Sequence, residues 1–429
     1  MEALVLYALI GLATLALHLT RRRRRDRRNE AARRESERLG VNEPASLHPV
    51  VDPSRCIGSG ACVHACPERA LGIVGGKAVL INGSACIGHG ACEAACPVKA
   101  IQLVFGTEKR GIDIPEVAPN FESNVPGLFI AGELGGMGLV RKAAEQGRQA
   151  VEHIRRRPRG RAELDVLIVG AGPAGLSAGL AALEHKLRYR LIEQEDSLGG
   201  AVYHYPRQKI TMTAPVTLAL VGKVKIGEIA KEALLALWND IVRRTGLQIS
   251  FHERMEALER TDDGFVVHTN QGSHRAASVL LAIGRRGTPR KLEVPGEETA
   301  KVTYRLVDPE QYRGQHVLVV GGGDSALEAA IALAAEPGTQ VALSYRGDSF
   351  SRVKEKNRVA LEQAAAAGRL QLLLGTQVSR IDAATVTLKG AAESVELKND
   401  AVIVCAGGVL PTALLQKAGI RFATKYGTA

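Results

Sequence analysis

Six of the chain's seven cysteines lie between Cys56 and Cys96, in two runs of one spacing, and two apolar stretches further along end in glycine-rich turns. Thiols massed in a small part of a long chain are metal ligands, whereas a disulfide framework spreads its pairs through a short secreted one. Glycines spaced G-x-G-x-x-G after an apolar run let backbone N–H groups close on a pyrophosphate at a helix N-terminus. Metal-bound thiolates and a dinucleotide in one chain point to electron chemistry.

The cysteine runs are CIGSGACVHACPERAL (56–71) and CIGHGACEAACPVKAI (86–101), identical at ten of sixteen positions at an offset of thirty. This is an internal duplication. Each copy reads C-x2-(Ser or His)-x2-C-x3-C-P, which resembles the bacterial dicluster ferredoxin run C-x2-C-x2-C-x3-C-P, whose fourth cysteine ligates the other cluster. The resemblance covers residues 47–105 and implies a small domain of two antiparallel ribbons and short helices. It assigns one iron–sulfur cluster to Cys56, Cys62 and Cys96, and a second to Cys86, Cys92 and Cys66. The second ligand position of each copy is occupied by Ser59 and His89 instead of cysteine. Three outcomes are open: a 3Fe-4S cluster, a 4Fe-4S cluster closed by Ser59 or His89, or a 4Fe-4S cluster with an exchangeable site. Imidazole in place of a thiolate removes negative charge and raises the potential.

DVLIVGAGPAGLSAGLAALEHKLRYRLIEQ (165–194) reads as strand, glycine turn, small-residue helix and second strand. Gly170, Gly172 and Gly175 suit a pyrophosphate, and Glu193, eighteen residues after Gly175, suits the ribose hydroxyls. HVLVVGGGDSALEAAIALAA (316–335) repeats the pattern around Gly321 and Gly323, followed by Asp324 and Ser325. Two such folds suggest two dinucleotides.

From these residues the chain resembles the thioredoxin-reductase-like flavoproteins, in which an NAD(P)H domain interrupts an FAD domain. LLAIGRRGTPRKLEVPGEE (280–298), with Gly284, is similar to their connecting segment, and AVIVCAGGVLPTALLQ (401–416) to the return strand. The family's last FAD segment, of the form VPGLFAAGD plus a helix, is found upstream as NVPGLFIAGELGGMGLVRKAAEQGRQAVEHI (124–154). The resemblance therefore implies a circular permutation, with 106–157 moved to the front, Gly132 and Glu133 in the place of the family's flavin-contacting Gly-Asp, and Thr428 near the start of the moved segment. The stretch 199–238 resembles the bacillithiol-disulfide-reductase type. It implies Gly199 and Gly200 against FAD, and Tyr203, His204 and Arg207 as catalytic groups near the isoalloxazine, with Tyr205 and Lys209 close by. Surface packing is the plainer alternative for these side chains. For the nicotinamide cofactor, Arg346, Arg352 and Lys354 favour a 2′-phosphate and hence NADPH, with NADH as the alternative.

The elements around these sites follow from composition. The 429 residues carry a formal charge of +11, but positions 21–38 alone hold ten Arg against four acids. A mean hydropathy of −0.01 is that of a globular protein, and with 4% aromatics the chain has little material for nucleic-acid stacking platforms. Ala3–Leu19 contains no Lys, Arg or acid, and as a helix it rises about 26 Å against a hydrocarbon core of about 30 Å. With Arg21–Arg25 behind it, the expectation is an uncleaved single-pass anchor in the cytoplasmic membrane with the catalytic domains in the cytoplasm. An interfacial helix is the alternative. The expected fold class is α/β: two Rossmann-like domains for FAD and NAD(P)H, a small α+β dicluster ferredoxin domain and an N-terminal transmembrane helix. The order is anchor 1–20, basic linker 21–46, ferredoxin-like 47–105, moved segment 106–157, FAD domain 158–290, NAD(P)H domain 291–404 and return segment 405–429.

No C-x-x-C exists, and after residue 106 the only cysteine is Cys405, in an apolar run that reads as a buried strand. The dithiol route of thioredoxin reductases is closed. The expected function is electron transfer from NAD(P)H through FAD and the clusters to a one-electron acceptor. Alternatives are reduction of a small disulfide or other substrate at the flavin, and a membrane-bound redox sensor. Expected partners are a one-electron acceptor or donor protein (ferredoxin, cytochrome or membrane redox partner), inner-membrane lipid and a second copy of the chain, with no nucleic acid.

Overall fold

Leu164–Val169 (LDVLIV) is almost wholly apolar and rich in β-branched residues, and it forms a strand buried along nearly its whole length. The larger part of the chain is built around it. The computed structural model describes all residues except 1, 39–41, 43, 45, 46, 87, 89, 108–110, 137, 159, 160, 206, 208, 213, 214, 286, 351, 352, 391–393, 428 and 429. Residues 1–112, 349–359 and 425–429 make one compact unit, and residues 113–348 and 360–424 a second.

The first unit opens with helix α1 (Glu2–Arg38). Strands β1 (His48–Val51), β2 (Leu71–Val74), β3 (Lys77–Leu80) and β4 (Ile101–Val104) form two antiparallel ribbons, β1 with β4 and β2 with β3. Short helices α2 (Ala61–Ala65) and α3 (Ala91–Ala94) each begin at a left-handed glycine, Gly60 and Gly90. The duplication extends to the backbone: Arg69 and Lys99, thirty residues apart, share a left-handed φ of 51° and 50°. Helix α1 is pinned to β2 by Asn29, whose Nδ2 donates to the Ile73 carbonyl at 2.8 Å.

The expected transmembrane helix, and with it the anchoring in the cytoplasmic membrane, is corrected here. Among the described residues no helix is long and apolar enough to cross a membrane. The apolar run Ala3–Leu19 rises only about 26 Å against about 30 Å of hydrocarbon. The same helix then continues unbroken through Arg21–Arg25 to Arg38.

The second unit takes β5 (Ile112–Pro115) from Asp113 on and its pairing strand Phe422–Lys425 up to Thr424, and Thr424 Oγ1 donates to Asp113 Oδ1 at 2.7 Å. Thr428 lies outside the described residues. Next come β6 (Leu128–Ile130), α4 (Val140–Ile154), β7 (Leu164–Val169), α5 (Pro173–Glu184) and β8 (Tyr189–Ile192). Strand β7 lies between β8 and the long strand Gly272–Leu281, parallel to both. The carboxyl half of Gly272–Leu281 also takes β6 as a parallel neighbour, while its amino half continues an antiparallel meander with Gly264–Thr269 and Met255–Thr261. Helix α6 (Lys231–Thr245) contributes Leu234, Trp238 and Ile241 to the core formed with α4 and α5. A second sheet is parallel throughout, in the order Val302–Thr303, Ala401–Val404, His316–Val320, Gln340–Tyr345 and Leu370–Leu374. Helix α7 (Asp324–Ala334) follows its central strand.

Helices α4 and α5 touch through backbone. A Cβ built on Gly147 of α4 would overlap the Ala174 carbonyl oxygen of α5, so only glycine allows this approach. Gly147→Val should therefore destabilise the protein by about 1–3 kcal/mol, as overpacked sites do, read as a lowered thermal midpoint. An unchanged midpoint would contradict the contact.

Candidate functional site

The six clustered cysteines sort into two cavities. Cys56, Cys62 and Cys96 line one, with Ser59 and Ile57. Cys66, Cys86 and Cys92 line the other, with Pro49 and Leu103. Each cavity thus draws its third thiol from the other copy of the repeat. The loops are held tightly: Gly58 (φ +68°) sits against the Gly76 carbonyl, and a Cβ on Gly88 (φ +70°) would fall 2.7 Å from that of Leu47. Backbone N–H groups already aim at sulfur, Ala78 N at Cys56 Sγ (3.4 Å) and Ala100 N at Cys96 Sγ (3.2 Å). Such donors raise the potential of a cluster by neutralising charge on its ligands. Burial pushes the thiols of Cys62 and Cys86 up, and that of Cys92 up to about 11, so metal binding must release protons.

Among the described residues no three His, Cys, Asp or Glu side chains converge closely enough to hold a single metal ion. Three thiols around each cavity instead suit a polynuclear iron–sulfur group whose irons each take one thiolate. Ser59 is exposed at the rim of its cavity, where its Oγ accepts from Ala61 N at 3.4 Å. His89 lies outside the described residues.

At the carboxyl edge of the first sheet, the residue after each strand bonds to its neighbour: Gly170 N to Ile192 O (2.8 Å), Ala282 N to Val169 O (2.8 Å) and Ala131 N to Leu281 O (3.1 Å). This is where ligands bind in parallel sheets. Gly170 has φ +101° and no room for a Cβ, which would lie 2.6 Å from the Ala282 oxygen; one on Gly175 would overlap the Gly170 oxygen. Gly172 caps α5 and faces Gly200, whose Cα would be 3.8 Å from an added Cβ. Glu193 is buried and accepts from Ala171 N at 2.7 Å and Glu195 N at 3.1 Å. Desolvation raises its pKa. Gly132 (φ +81°) donates its N–H to Gln146 Oε1 at 2.9 Å, and Glu133 lies beside Gly284, 3.8 Å from where its Cβ would be. The turn, the acid and the Gly132–Glu133 pair thus share one edge, an arrangement that fits a flavin dinucleotide.

The segment after Gly199 (φ +114°) and Gly200 (φ +54°) runs from the first sheet toward the second. Tyr203, His204 and Tyr205 are half-buried, and Arg207 is exposed. The ring of His204 meets Arg305, Arg207 Nη1 is 3.5 Å from Asp308 Oδ2, and Lys209 Nζ is 2.8 Å from Glu328 Oε2 on α7. Lys231 Nζ donates to Tyr205 O at 2.7 Å. Spacing in the sequence did not point to Arg305, Asp308 or Glu328, because each partner is about a hundred residues away; Gln146, fourteen residues from Gly132, had a polar side chain on the inner face of α4 as its only signal.

In the second sheet Gly321 (φ +146°) abuts the Cys405 carbonyl, and Gly323 caps α7 with open space where a Cβ would be. Asp324 and Ser325 begin that helix. Tyr345 lies so close over Gly322 that a Cβ there would overlap its ring, and Arg346 is exposed. Lys354 belongs with 349–359 to the other compact unit, and Arg352 is outside the described residues. Cys405, expected as a buried strand residue, lies half-buried just past Ala401–Val404.

Residues 48–97 match the 4Fe-4S dicluster domain, and residues 167–427 match the pyridine nucleotide-disulphide oxidoreductase family. The chain is 32% identical over 268 residues to a ferredoxin–NADP reductase of Thermus thermophilus, covering 60% of this chain and 76% of that one. It is 25% identical over 267 residues to a bacilliredoxin reductase of Bacillus subtilis, covering 61% and 82%. It spans 57% of a ferredoxin–NADP reductase of Ignicoccus hospitalis, at 34% identity over 43% of its own length. Among solved structures, a bacillithiol disulfide reductase from Bacillus cereus superposes with a TM-score of 0.51 at 26% identity, over 59% of this chain and 80% of that one. A match over more than half the chain, on two sheets whose glycine turns open at the carboxyl ends of parallel strands, leads to one conclusion: the chain belongs to the pyridine nucleotide-disulphide oxidoreductase family and is an FAD-dependent oxidoreductase.

Proposed function

We propose that the protein oxidises NADPH and delivers the electrons singly, through two iron–sulfur clusters, to a one-electron carrier protein of the ferredoxin class. The observation that carries this reading is the pair of three-thiol cavities in the same chain as two dinucleotide turns. Nicotinamide gives up two electrons at once and an iron–sulfur cluster takes one; bound FAD supplies the chemistry that joins the two. The similarity to ferredoxin–NADP reductases supports NADPH and a ferredoxin-type partner.

In this reading Gly170, Gly172 and Gly175 hold the FAD pyrophosphate and Glu193 the ribose, while Gly132, Glu133, Gly199, Gly200 and Gly284 line the rest of the site. Residues 106–157 serve as the FAD domain's final segment, moved ahead of the first strand; the pairing of β6 with Gly272–Leu281 and the packing of α4 on α5 support this. Gly321, Gly323, Asp324 and Ser325 receive NADPH, with Arg346 toward the 2′-phosphate. Tyr203, His204 and Arg207 orient groups at the working face of the flavin and exclude water from it. Cys56, Cys62 and Cys96 hold one cluster, and Cys66, Cys86 and Cys92 the other. A second reading, reduction of a small disulfide at the flavin, draws on the likeness to the bacillithiol disulfide reductase.

Cys62→Ala and Cys92→Ala separate the two readings. Each should lower bound iron and abolish reduction of a one-electron carrier, while NADPH still bleaches the flavin at the wild-type rate. Carrier reduction at the wild-type rate in both variants would place the clusters outside the path and favour the second reading.

Glu193→Gln keeps the side chain's size but removes the charge that the ribose hydroxyls bond. Charged hydrogen bonds are worth about 1.5–3 kcal/mol, so FAD affinity measured by flavin release should fall about tenfold or more. Unchanged affinity would remove Glu193 from the site.

Ser59→Cys and His89→Cys each add a thiolate. Its negative charge should lower that cluster's potential in a redox titration and shift the electron-paramagnetic signature toward four irons. Unchanged spectra and potentials in both would mean that neither position faces a cluster.

A further inference from the structure

Helix α1 contains a dense run of charge, and most of it is unpaired among the described residues. Of the ten arginines in residues 21–38, Arg33, Arg34 and Arg38 pair with Glu37, Glu30 and Glu35. The other seven, Arg21–Arg25, Arg27 and Arg28, are exposed and have no carboxylate within 4 Å among the described residues. They occupy two turns of helix, about 12 Å.

This basic stretch lies beside one of the two thiol cavities. Asn29 fixes the helix to β2 through the Ile73 carbonyl, and the Arg22 guanidinium lies 3.2 Å from where a Cβ on Gly76 would be. The Gly76 carbonyl in turn closes on Gly58, which lines the cavity of Cys56, Cys62 and Cys96. At the rim of that cavity Ile57 is 65% exposed, next to exposed Ser59 and Arg55. An apolar contact point at a redox site, with a row of cations beside it, is what a transient complex with an acidic partner requires. Apolar contact brings the centres close, and the charge steers encounter.

We propose that α1 and the rim at Ile57 form the docking surface for a small acidic one-electron carrier protein, which collects electrons at the Cys56–Cys62–Cys96 site. The proposal rests on the electron route described under Proposed function and names its exit. One electron at a time crosses the surface, lost by the reduced iron–sulfur site and gained by the carrier, with no bond or proton transferred.

The test uses the full chain with its cofactors, its clusters reduced by dithionite and freed of excess reductant, mixed rapidly with an oxidised acidic flavodoxin. Carrier reduction should slow about tenfold or more between low and high salt, and by a similar factor in Arg22→Glu/Arg25→Glu. Arg243→Glu/Arg260→Glu, an equal change of charge in the other compact unit, should leave the rate unchanged, and a basic cytochrome c should react faster with the α1 variant than with wild type. An α1 variant that reduces flavodoxin at the wild-type rate, or a control variant that slows it equally, would overturn the proposal. So would binding of the wild type to anionic vesicles or RNA while the flavodoxin rate ignores the α1 charges. A parallel arm with NADPH as reductant keeps the two ideas apart: clusters that stay oxidised there contradict the electron route, whereas the dithionite arm judges the surface alone.

Discussion

The parallel pairing of Gly272–Leu281 with two strands at once is the constraint on which the larger unit depends. Its last three residues pair with β7 on one side and with β6 on the other. Through that shared strand, a segment that precedes the dinucleotide turn in sequence is placed beside it in space. The carboxyl ends of β6, β7, β8 and the shared strand then open at one edge, where Gly132, Gly170, Glu193 and Gly284 gather. Weakening this pairing would dissolve the site and the core together, since Leu280 and Leu281 are fully buried beneath it.

The chemistry-bearing parts were legible wherever a short motif carries its own geometry. The likeness of the two C-x5-C-x3-C-P runs to a dicluster ferredoxin implied two sets of three thiols, and two cavities in the structure are lined by those same sets. The glycine turns and Glu193 were legible for the same reason, because a strand, a tight turn and a helix N-terminus lie within thirty residues. Contacts between distant segments left no local trace: nothing in the sequence around Lys209 announces Glu328, and nothing around His204 announces Arg305. Hydropathy registered Ala3–Leu19 as a span, but the structure gives one helix in which the basic half is continuous with the apolar half and docks on β2 through Asn29.

Electrostatics ties the two halves of the proposed route together. A buried thiol such as Cys92, pushed up to about 11, loses its proton to solvent when a metal takes the thiolate, and the amide donors at Cys56 and Cys96 favour the reduced state of whatever cluster they hold. In the proposed clusters, three thiolates in place of four would carry less negative charge and would favour electron uptake in the same direction. On the dinucleotide side, Glu193 is held ionisable in a desolvated corner by two backbone N–H groups, the geometry a ribose diol would find waiting.

Rapid mixing of the anaerobic protein with NADPH, followed by flavin absorbance and by the electron-paramagnetic signals of frozen samples at matched times, tests the electron route most directly. The account predicts that flavin bleaching comes first and that the cluster signals grow afterwards, as the flavin recovers its absorbance. Flavin that stays bleached while the clusters show no reduction at any time would contradict it.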